Sequence, residues 1–435
     1  MSLFQKEIQE LIDENIINQE TATAINNYYQ FKENNKAKSS TLTNIITILG
    51  VILVSLGIIL LIAHNWDDLS KTLKTIFAFV PLVVGQALCF YTIQKQSESK
   101  VWREASAVVL FFAVASSISL ISQVYHVDGT LDGFLVAWIC LTIPVAFLMR
   151  SSVTALLLIA TSTWYALIVG FNFFGQAKQP YLYLGFMILL LAYYFIHIYK
   201  KSESNNFIWF NWLIASSFAF CLGSFMYKNL IDFKWLSLSY YSLFILYFLI
   251  GELPIMKDNR FYSNPFGRIG TVGIIVMLTM SSFKTSWLNF NHSNEHFNSI
   301  FSSIYFYILI LQVGCIAYIL LKKDSSSIRH PFFISFILFF ILIILFGQIP
   351  MISAILINLM ILTIAIYYIN KGNALNHFGI LNFGLLLIAL LATMRFFDEG
   401  IPFIWRGLFF IITGVGFFVA NIQLSKKRKS LQNNS

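Results

Sequence analysis

Three short polar segments carry the residues that could do chemistry: LIAHNWDDLSK, QVYHVDGTLDG and MRFFDEGIPFIWRG. Their candidate binding residues are His64, Asn65, Trp66, Asp67, Asp68, Gln123, Tyr125, His126, Asp128, Asp132, Arg395, Asp398 and Arg406. Two histidines beside several carboxylates could hold a divalent ion such as zinc or manganese. The two arginines could bind a phosphate or carboxylate group through paired hydrogen bonds. Together, these residue types would suit a lipid-linked or phosphorylated substrate.

The same residue types also mark the ends of membrane helices. Trp and Tyr collect at the membrane–water interface. Asp67 and Asp68 suit the start of the following helix, where a carboxylate can cap free N–H groups. The dipeptide Asp128-Gly129 is an ordinary turn signal. We favour helix ends and caps over substrate binding, and substrate binding over a metal site, so the sequence predicts no metal and no cofactor.

The elements that must position these segments are membrane helices. Of the 435 residues, 57% are hydrophobic and only 11% are charged, and the mean hydropathy is +0.72. Soluble domains carry about 25% charged residues, so this composition is typical of a protein that crosses the membrane many times. The four cysteines all fall inside apolar runs and are expected to be buried small hydrophobes. Membrane lipid is the expected partner, and nucleic acid is not.

The apolar runs predict fourteen membrane spans, each near the 20 residues needed to cross the hydrocarbon core. They lie at about 44–64, 73–93, 104–125, 132–149, 152–171, 180–199, 207–227, 235–253, 267–286, 300–321, 331–347, 350–369, 377–396 and 402–422. A tight hairpin is expected between the eleventh and twelfth spans, since only three residues separate them. The predicted fold is therefore an all-α, polytopic membrane helical bundle of about 14 transmembrane helices.

The distribution of basic residues predicts the orientation of the bundle. With the amino terminus inside, the inner segments near the spans carry 20 Lys and Arg and the outer loops carry 8. Positive charge is retained on the cytoplasmic side of a membrane protein. Both termini are therefore expected in the cytoplasm and the bundle in the inner membrane of the cell. The three polar segments described first would then lie at the outer face.

A polar amino-terminal segment precedes the first span. One helical face is shared by Leu3, Phe4, Ile8, Leu11 and Ile12, and Asn18 is a suitable cap for a second short helix. Residues 1–40 are therefore predicted to be a cytoplasmic helical hairpin and linker, 41–425 the bundle, and 426–435 a basic cytoplasmic tail. A hairpin this short is not stable alone, so it is expected to pack on the inner face or on a cytoplasmic protein.

The polar residues inside the spans are neutral. None of the 20 Asp and Glu falls at the centre of a predicted span. Intramembrane carboxylates are the usual mark of proton coupling, so a proton-driven transporter with a central acid is disfavoured. The neutral side chains are interpreted as interhelical hydrogen-bonding groups. They are Gln86, Gln312, Asn358 and Asn382.

The order of features resembles a bacterial family of predicted membrane proteins of unknown function, DUF2157. The resemblance rests on the amino-terminal hairpin, ITILGVILVSLGIILLIAHNWDDLSK and ISLISQVYHVDGTLDGFLVAWICLTIPVAFLMRS. It covers roughly residues 3 to 165, and the closing MRFFDEGIPFIWRGLFFIITGVGFF is similar to the end of this and related families. The middle third is similar in hydropathy alone. The resemblance implies a topology and no reaction.

Three functions fit these features. Fourteen spans with short loops favour a transport or flipping protein for a small or lipid-linked substrate. The alternatives are a membrane enzyme acting on a lipid-linked substrate at the outer face, and a membrane scaffold or sensor that signals through its amino-terminal hairpin. The Walker A, Rossmann, HExxH and GxSxG motifs do not occur, so a non-enzymatic role is favoured.

The orientation predicts which side of the membrane reacts with a thiol reagent. In a background with the four native cysteines replaced by Ala, the Asp128→Cys variant is expected to react with a membrane-impermeant maleimide on intact cells. The Lys323→Cys variant is expected to react only after permeabilisation. The opposite labelling pattern would overturn the predicted topology.

Overall fold

The structure is a computed structural model of the whole chain. It describes residues 14, 16, 18–25, 66, 68–171, 178–199, 204–225, 231–256, 263–291, 304–322, 330–345, 349–396, 404, 407–408, 411 and 414–415. The chain forms two compact units, Met1–Phe77 and Ala78–Ser435. The proposed division at residues 40 and 425 stays a prediction from the sequence.

Between residues 71 and 396 the described elements are helical. The α-helices are α1 (Lys71–Lys95), α2 (Lys100–Tyr125), α3 (Leu131–Met149), α4 (Ser152–Phe171), α5 (Tyr181–His197), α6 (Asn205–Cys221), α7 (Ile231–Gly251), α8 (Pro265–Ser281), α9 (Lys284–Asn291), α10 (Ile304–Lys322), α11 (Pro331–Leu345), α12 (Pro350–Ala374) and α13 (Phe378–Phe396). Two 3-10 turns, Leu222–Phe225 and Pro254–Met256, follow α6 and α7. No strand occurs among these residues, so the predicted all-α class is confirmed.

The helices reproduce the predicted spans wherever the chain is described. Nine helices there are long and apolar enough to cross a membrane, and three more are apolar but shorter. These twelve correspond to the second through thirteenth predicted spans. The connection between α11 and α12, where a tight hairpin is predicted, lies largely outside the described residues. The first predicted span, 44–64, lies outside the described residues, and the last, 402–422, lies largely outside them. The chain is therefore a multi-span membrane protein.

One predicted boundary is wrong. The span expected at 267–286 ends at Ser281, and a separate helix, α9, begins at Lys284. Ser282 makes this break because its backbone N–H and its hydroxyl both donate to the Thr279 carbonyl, at 3.2 and 2.6 Å. Two bonds to one carbonyl close a tight turn at the end of α8. The hydropathy of the run does not reveal that turn.

The amino-terminal unit contains one described helical segment, residues 19–25. The Asn18 side-chain oxygen accepts hydrogen bonds from the Thr21 backbone N–H at 2.8 Å and from the Thr21 hydroxyl at 2.5 Å. The predicted Asn18 cap is thereby confirmed, and Ala22 in this segment is buried. The first helix of the predicted hairpin lies outside the described residues.

Helices α1, α2 and α3 pack through buried polar bonds and a close backbone approach. The Ser117 hydroxyl of α2 donates to the Ala78 carbonyl of α1 at 2.7 Å, and the Trp138 indole of α3 donates to the Phe111 carbonyl of α2 at 2.8 Å. A Cβ at Gly85 would lie 3.0 Å from the Leu110 Cα atom, a tight contact, so glycine at this position lets α1 and α2 approach closely. These contacts fix the three helices around the space described below.

The start of α4 is capped by a carboxylate from another helix. Glu104, in the first turns of α2, accepts hydrogen bonds from the Ser152 and Val153 backbone N–H groups at 3.0 Å each. The Ser151 hydroxyl also donates to it, at 2.5 Å. A carboxylate is favourable here because the amino end of a helix carries partial positive charge. Glu104 therefore has a structural role at the end of the helices, away from the span centres.

The end of α4 lies against the 3-10 turn Leu222–Phe225. A Cβ at Gly170 would overlap the backbone carbonyl of Ser224, whereas a Cβ at Gly185 of α5 would meet nothing within 4 Å. Close backbone approach at small residues is a common way for membrane helices to associate. Gly170 therefore brings α4 and this turn together.

Replacing Gly170 should separate these two elements. The Gly170→Ala variant is expected to lose about 1–3 kcal/mol of stability, because the overlap is with backbone that has little freedom to move. The matched Gly185→Ala variant should keep the stability of the parent. Thermal unfolding of the purified protein in detergent measures both. Equal melting temperatures for the two variants would contradict the close approach.

Candidate functional site

The first candidate segment is described at Trp66 and Asp68. Its other members, His64, Asn65 and Asp67, lie outside the described residues. The Trp66 ring is half-buried, and the Lys74 ammonium lies 5.9 Å from its centroid. The Trp66 carbonyl accepts a hydrogen bond from the Leu69 N–H at 3.3 Å. Trp66 is thus part of the local turn that leads into α1.

The expected cap at the start of α1 is corrected. Asp68 is exposed, and Ser70 occupies the capping position. The Ser70 hydroxyl accepts from the Leu73 N–H at 3.4 Å, and its carbonyl accepts from the Lys74 N–H at 3.0 Å. A serine directly before the first helical residue reaches the free N–H groups, which Asp68, two residues further back, does not.

The second segment forms a tight connection, the α2–α3 turn (residues 126–130). His126 has left-handed backbone angles, φ 52° and ψ 43°, and its N–H bonds the Ser122 carbonyl. The Val127 N–H also bonds that carbonyl at 3.0 Å, and the Ser122 hydroxyl donates to the Val127 carbonyl at 2.9 Å. His126 therefore terminates α2 and is held in a conformation that few residue types adopt.

The polar side chains of this segment have separate surroundings. Gln123, Tyr125, His126 and Asp128 are exposed. Asp132 lies in the first turn of α3 beside Thr130, whose hydroxyl accepts from the Gly133 N–H at 3.4 Å. Thr130 is thus the cap of α3, and Asp132 favours the same helix end by its charge. In the described part of the chain, no three His, Cys, Asp or Glu residues group as metal ligands do.

The third segment is described at Arg395, while Asp398 and Arg406 lie outside the described residues. The Arg395 guanidinium donates to the Ser282 hydroxyl at 2.8 Å and lies 4.6 Å from the centroid of the Phe283 ring. The Asn358 amide donates to the Ser282 carbonyl at 3.0 Å. Helices α12 and α13 therefore both bind the turn between α8 and α9. Arg395 therefore holds α13 against this turn.

The candidate residues are divided between two parts of the bundle. The α2–α3 turn is held by α2 and α3, and Arg395 is held by the turn between α8 and α9. Arg395 is not among the residues that surround the space next to the α2–α3 turn. The structure thus supports two separate polar regions within its described residues.

A cavity of about 890 Å³ lies between α1, α2 and α3. Its walls are Phe79, Leu82, Gln86, Leu110, Val114, Ser117, Ile118, Ser119, Ile121, Ser122, Val127, Gly129, Thr130, Leu131, Gly133, Phe134, Ala137, Leu141 and Val145. It is a groove and not a sealed chamber, because Phe79 and Leu141 are 44% and 58% exposed. A volume of this size suits a small or chain-like ligand. We call it the α1–α3 groove.

The groove runs from the α2–α3 turn into the depth of the bundle. Its α3 wall extends from Leu131 to Val145, about 21 Å at 1.5 Å per residue. Gln86 lies about 14 Å from Lys95 at the carboxyl end of α1. That distance corresponds to the middle of a hydrocarbon core about 30 Å thick. The groove therefore connects one end of the helices with mid-membrane depth.

A row of neutral polar side chains follows the groove. Thr130, Ser122, Ser119 and Ser117 come from its turn end and its α2 wall, and Gln86 comes from its α1 wall. Gln86 and Ser119 are exposed, and no hydrogen bond joins either side chain to another residue in the described part of the chain. These two polar groups thus line the groove without a hydrogen-bond partner among the described residues.

This row was missed by interpreting each polar residue separately. Hydrogen bonding between helices is confirmed for Gln312, which accepts from the Ser242 hydroxyl, and for Asn358. In the described part of the chain Gln86 makes no such bond, and Asn382 is exposed. The available signal was the run SSISLIS at 116–122, where hydroxyls recur inside a predicted span. Only the packing of α1 shows that Gln86 continues that row.

The backbone at His126 gives a test of the α2–α3 turn. The His126→Gly variant should keep the stability of the parent, because glycine adopts φ near +50° without a Cβ penalty. The His126→Val variant should lose about 1–2 kcal/mol, because a branched side chain is strained in that region. Melting temperatures in detergent measure both changes. A His126→Val variant as stable as the parent would refute the left-handed conformation.

Comparison with known proteins gives one match, and it spans the part of the chain that forms the groove. No curated protein and no solved structure matches the chain. One family model, described as "Predicted membrane protein (DUF2157)", matches residues 9–155. The match includes all the groove-lining residues, from Phe79 to Val145. It confirms, over residues 9–155, the resemblance to this family of predicted membrane proteins of unknown function that the sequence motifs indicated.

Proposed function

We propose that this protein moves a membrane lipid between the two leaflets, with the lipid headgroup travelling along the α1–α3 groove. The observation that carries the proposal is the row of neutral polar side chains that runs from the α2–α3 turn to Gln86 in an otherwise apolar groove. We further propose that the protein lies in the inner membrane with both termini cytoplasmic and the α2–α3 turn outside.

The barrier to lipid flipping is the transfer of a polar headgroup through hydrocarbon. Burying one hydroxyl or amide without a hydrogen-bond partner costs roughly 2–7 kcal/mol. The hydroxyls of Ser119 and Thr130 and the amide of Gln86 offer partners along the route. A headgroup that exchanges water for these groups meets a lower barrier, while its acyl chains stay in the lipid beside the open groove.

The unsatisfied state of Gln86 supports a polar occupant. A primary amide facing hydrocarbon is itself unfavourable, so a side chain with no described partner indicates that another polar group meets it during the working cycle. An acyl chain would leave this amide unsatisfied. A headgroup or water that passes the middle of the membrane would satisfy it.

The proposed movement is passive. Glu104 is the fifth residue of α2 and Asp132 lies in the first turn of α3, so both are away from the span centres. No carboxylate lines the groove. The proposal therefore requires no coupling proton, and the lipid would move down its own gradient. The enzyme and scaffold alternatives stay predictions from the sequence.

Reconstituted vesicles test the proposal. Liposomes containing the purified protein and an acyl-chain-labelled fluorescent phosphatidylcholine are treated with dithionite, which quenches only the outer leaflet. Without flipping, about half of the fluorescence should remain. With the protein present, the remaining fraction should fall well below that level.

A pair of alanine variants locates the route. Ala137 lines the groove, so Ala137→Phe should obstruct it and slow the movement about tenfold or more. Ala160 is exposed on α4 and does not line the groove, so Ala160→Phe is the matched control and should keep the parent rate. Both variants are first compared with the parent by melting temperature. Equal rates in two folded variants, or a parent no faster than empty liposomes, would refute the proposed function.

A further inference from the structure

The residues that line the groove wall limit which lipid headgroups could pass along it. None of the residues that line the α1–α3 groove is Asp, Glu, Lys, Arg or His. The polar lining consists of hydroxyls and one amide, at Gln86, Ser117, Ser119, Ser122 and Thr130. A headgroup moving along this wall would therefore find hydrogen-bond partners and no counter-ion.

Two carboxylates lie next to the groove mouth. Asp128 is exposed between two lining residues, Val127 and Gly129, and Asp132 lies between Leu131 and Gly133. The α2–α3 turn itself contains no Lys or Arg. Lys178 acts electrostatically on Asp132, and Asp128 is exposed to an approaching lipid. This mouth attracts an ammonium group and repels an anion.

We infer that the substrates are lipids whose headgroup carries no net negative charge, and in the first place zwitterionic phospholipids. This inference rests on the proposed function. The ammonium of such a headgroup is attracted by Asp128, and its phosphate can accept hydrogen bonds from the Ser119 hydroxyl and the Gln86 amide. Because the two charges travel together, the headgroup brings its own counter-ion into the groove.

A net-anionic headgroup lacks that compensation. Moving an unpaired charge into a low-dielectric region is far more costly than moving a paired one. Phosphatidylglycerol has hydroxyls that the groove can bind, but its phosphate would meet no cation along the wall. Its passage should therefore be slow even though its size matches that of a zwitterionic lipid.

The vesicle assay with several lipids tests this inference. Acyl-chain-labelled phosphatidylcholine, phosphatidylethanolamine and phosphatidylglycerol are compared in the same liposomes. The two zwitterionic lipids should flip about tenfold or more faster than phosphatidylglycerol. Equal rates for all three lipids, with Ala137→Phe still slowing each, would overturn the charge selection and leave the proposed function standing.

A charge placed in the groove makes the test sharper. The Gln86→Lys variant supplies the missing cation and should lower the ratio of phosphatidylcholine to phosphatidylglycerol rates at least several-fold. The Gln86→Leu variant removes the polar group without adding charge and should slow both lipids while keeping their ratio. An unchanged ratio in a folded Gln86→Lys variant would overturn the inference.

A second position keeps the test decisive if Gln86→Lys does not fold. Ser119 is exposed on the α2 wall, so Ser119→Lys should lower the same ratio, and Ser119→Ala is its matched control. Asp128→Asn, at the exposed turn, should slow the zwitterionic lipids and leave phosphatidylglycerol unchanged or faster. Retention of the parent ratio in both Ser119→Lys and Asp128→Asn would overturn the inference.

Discussion

Lipid offers no hydrogen bonds, so each polar group of this chain within the membrane has to be satisfied by the protein or by a ligand. The backbone meets this requirement in the helices themselves. Several described polar side chains meet it across helix interfaces: Ser117 bonds Ala78, Trp138 bonds Phe111, and Ser242 bonds Gln312. Each such bond fixes the rotation of one helix against its neighbour, which apolar packing alone specifies poorly. The arrangement of the bundle depends on these pairings.

Polar groups at the helix ends also need hydrogen-bond partners, and most of the candidate binding residues lie there. Ser70 and Thr130 cap the helices that follow them, and Glu104 caps a helix from its neighbour. Arg395 fixes a turn through Ser282 and Phe283. These residues resemble site residues in type, and their described contacts give them structural roles. A polar group that has no hydrogen-bond partner among the described residues is therefore a better candidate for ligand binding.

The α1–α3 groove contains such groups. Gln86 and Ser119 are exposed at depths where water is scarce, and they share one groove with Ser122 and Thr130. A wall that is neutral yet able to form hydrogen bonds distinguishes headgroups by their net charge more than by their size. The open side of the groove suits the proposed lipid movement, because acyl chains can stay in the membrane. The carboxylates at its mouth suit the proposed selection of zwitterionic lipids, because they attract an ammonium group.

The sequence by itself determined the helical class, twelve spans of the described region and the Asn18 cap, because these depend on local hydropathy and on side chains close in sequence. It also identified the residues at the helix ends. Only the tertiary structure decided which polar residues have partners: Asn358 bonds Ser282, whereas Gln86 bonds no residue in the part of the chain that the structure describes. It also separated Arg395 from the α2–α3 turn and placed Gln86 in line with the α2 hydroxyls. These outcomes depend on how helices rotate and pack, and the periodicity of a single uniformly apolar helix contains no information about its neighbours.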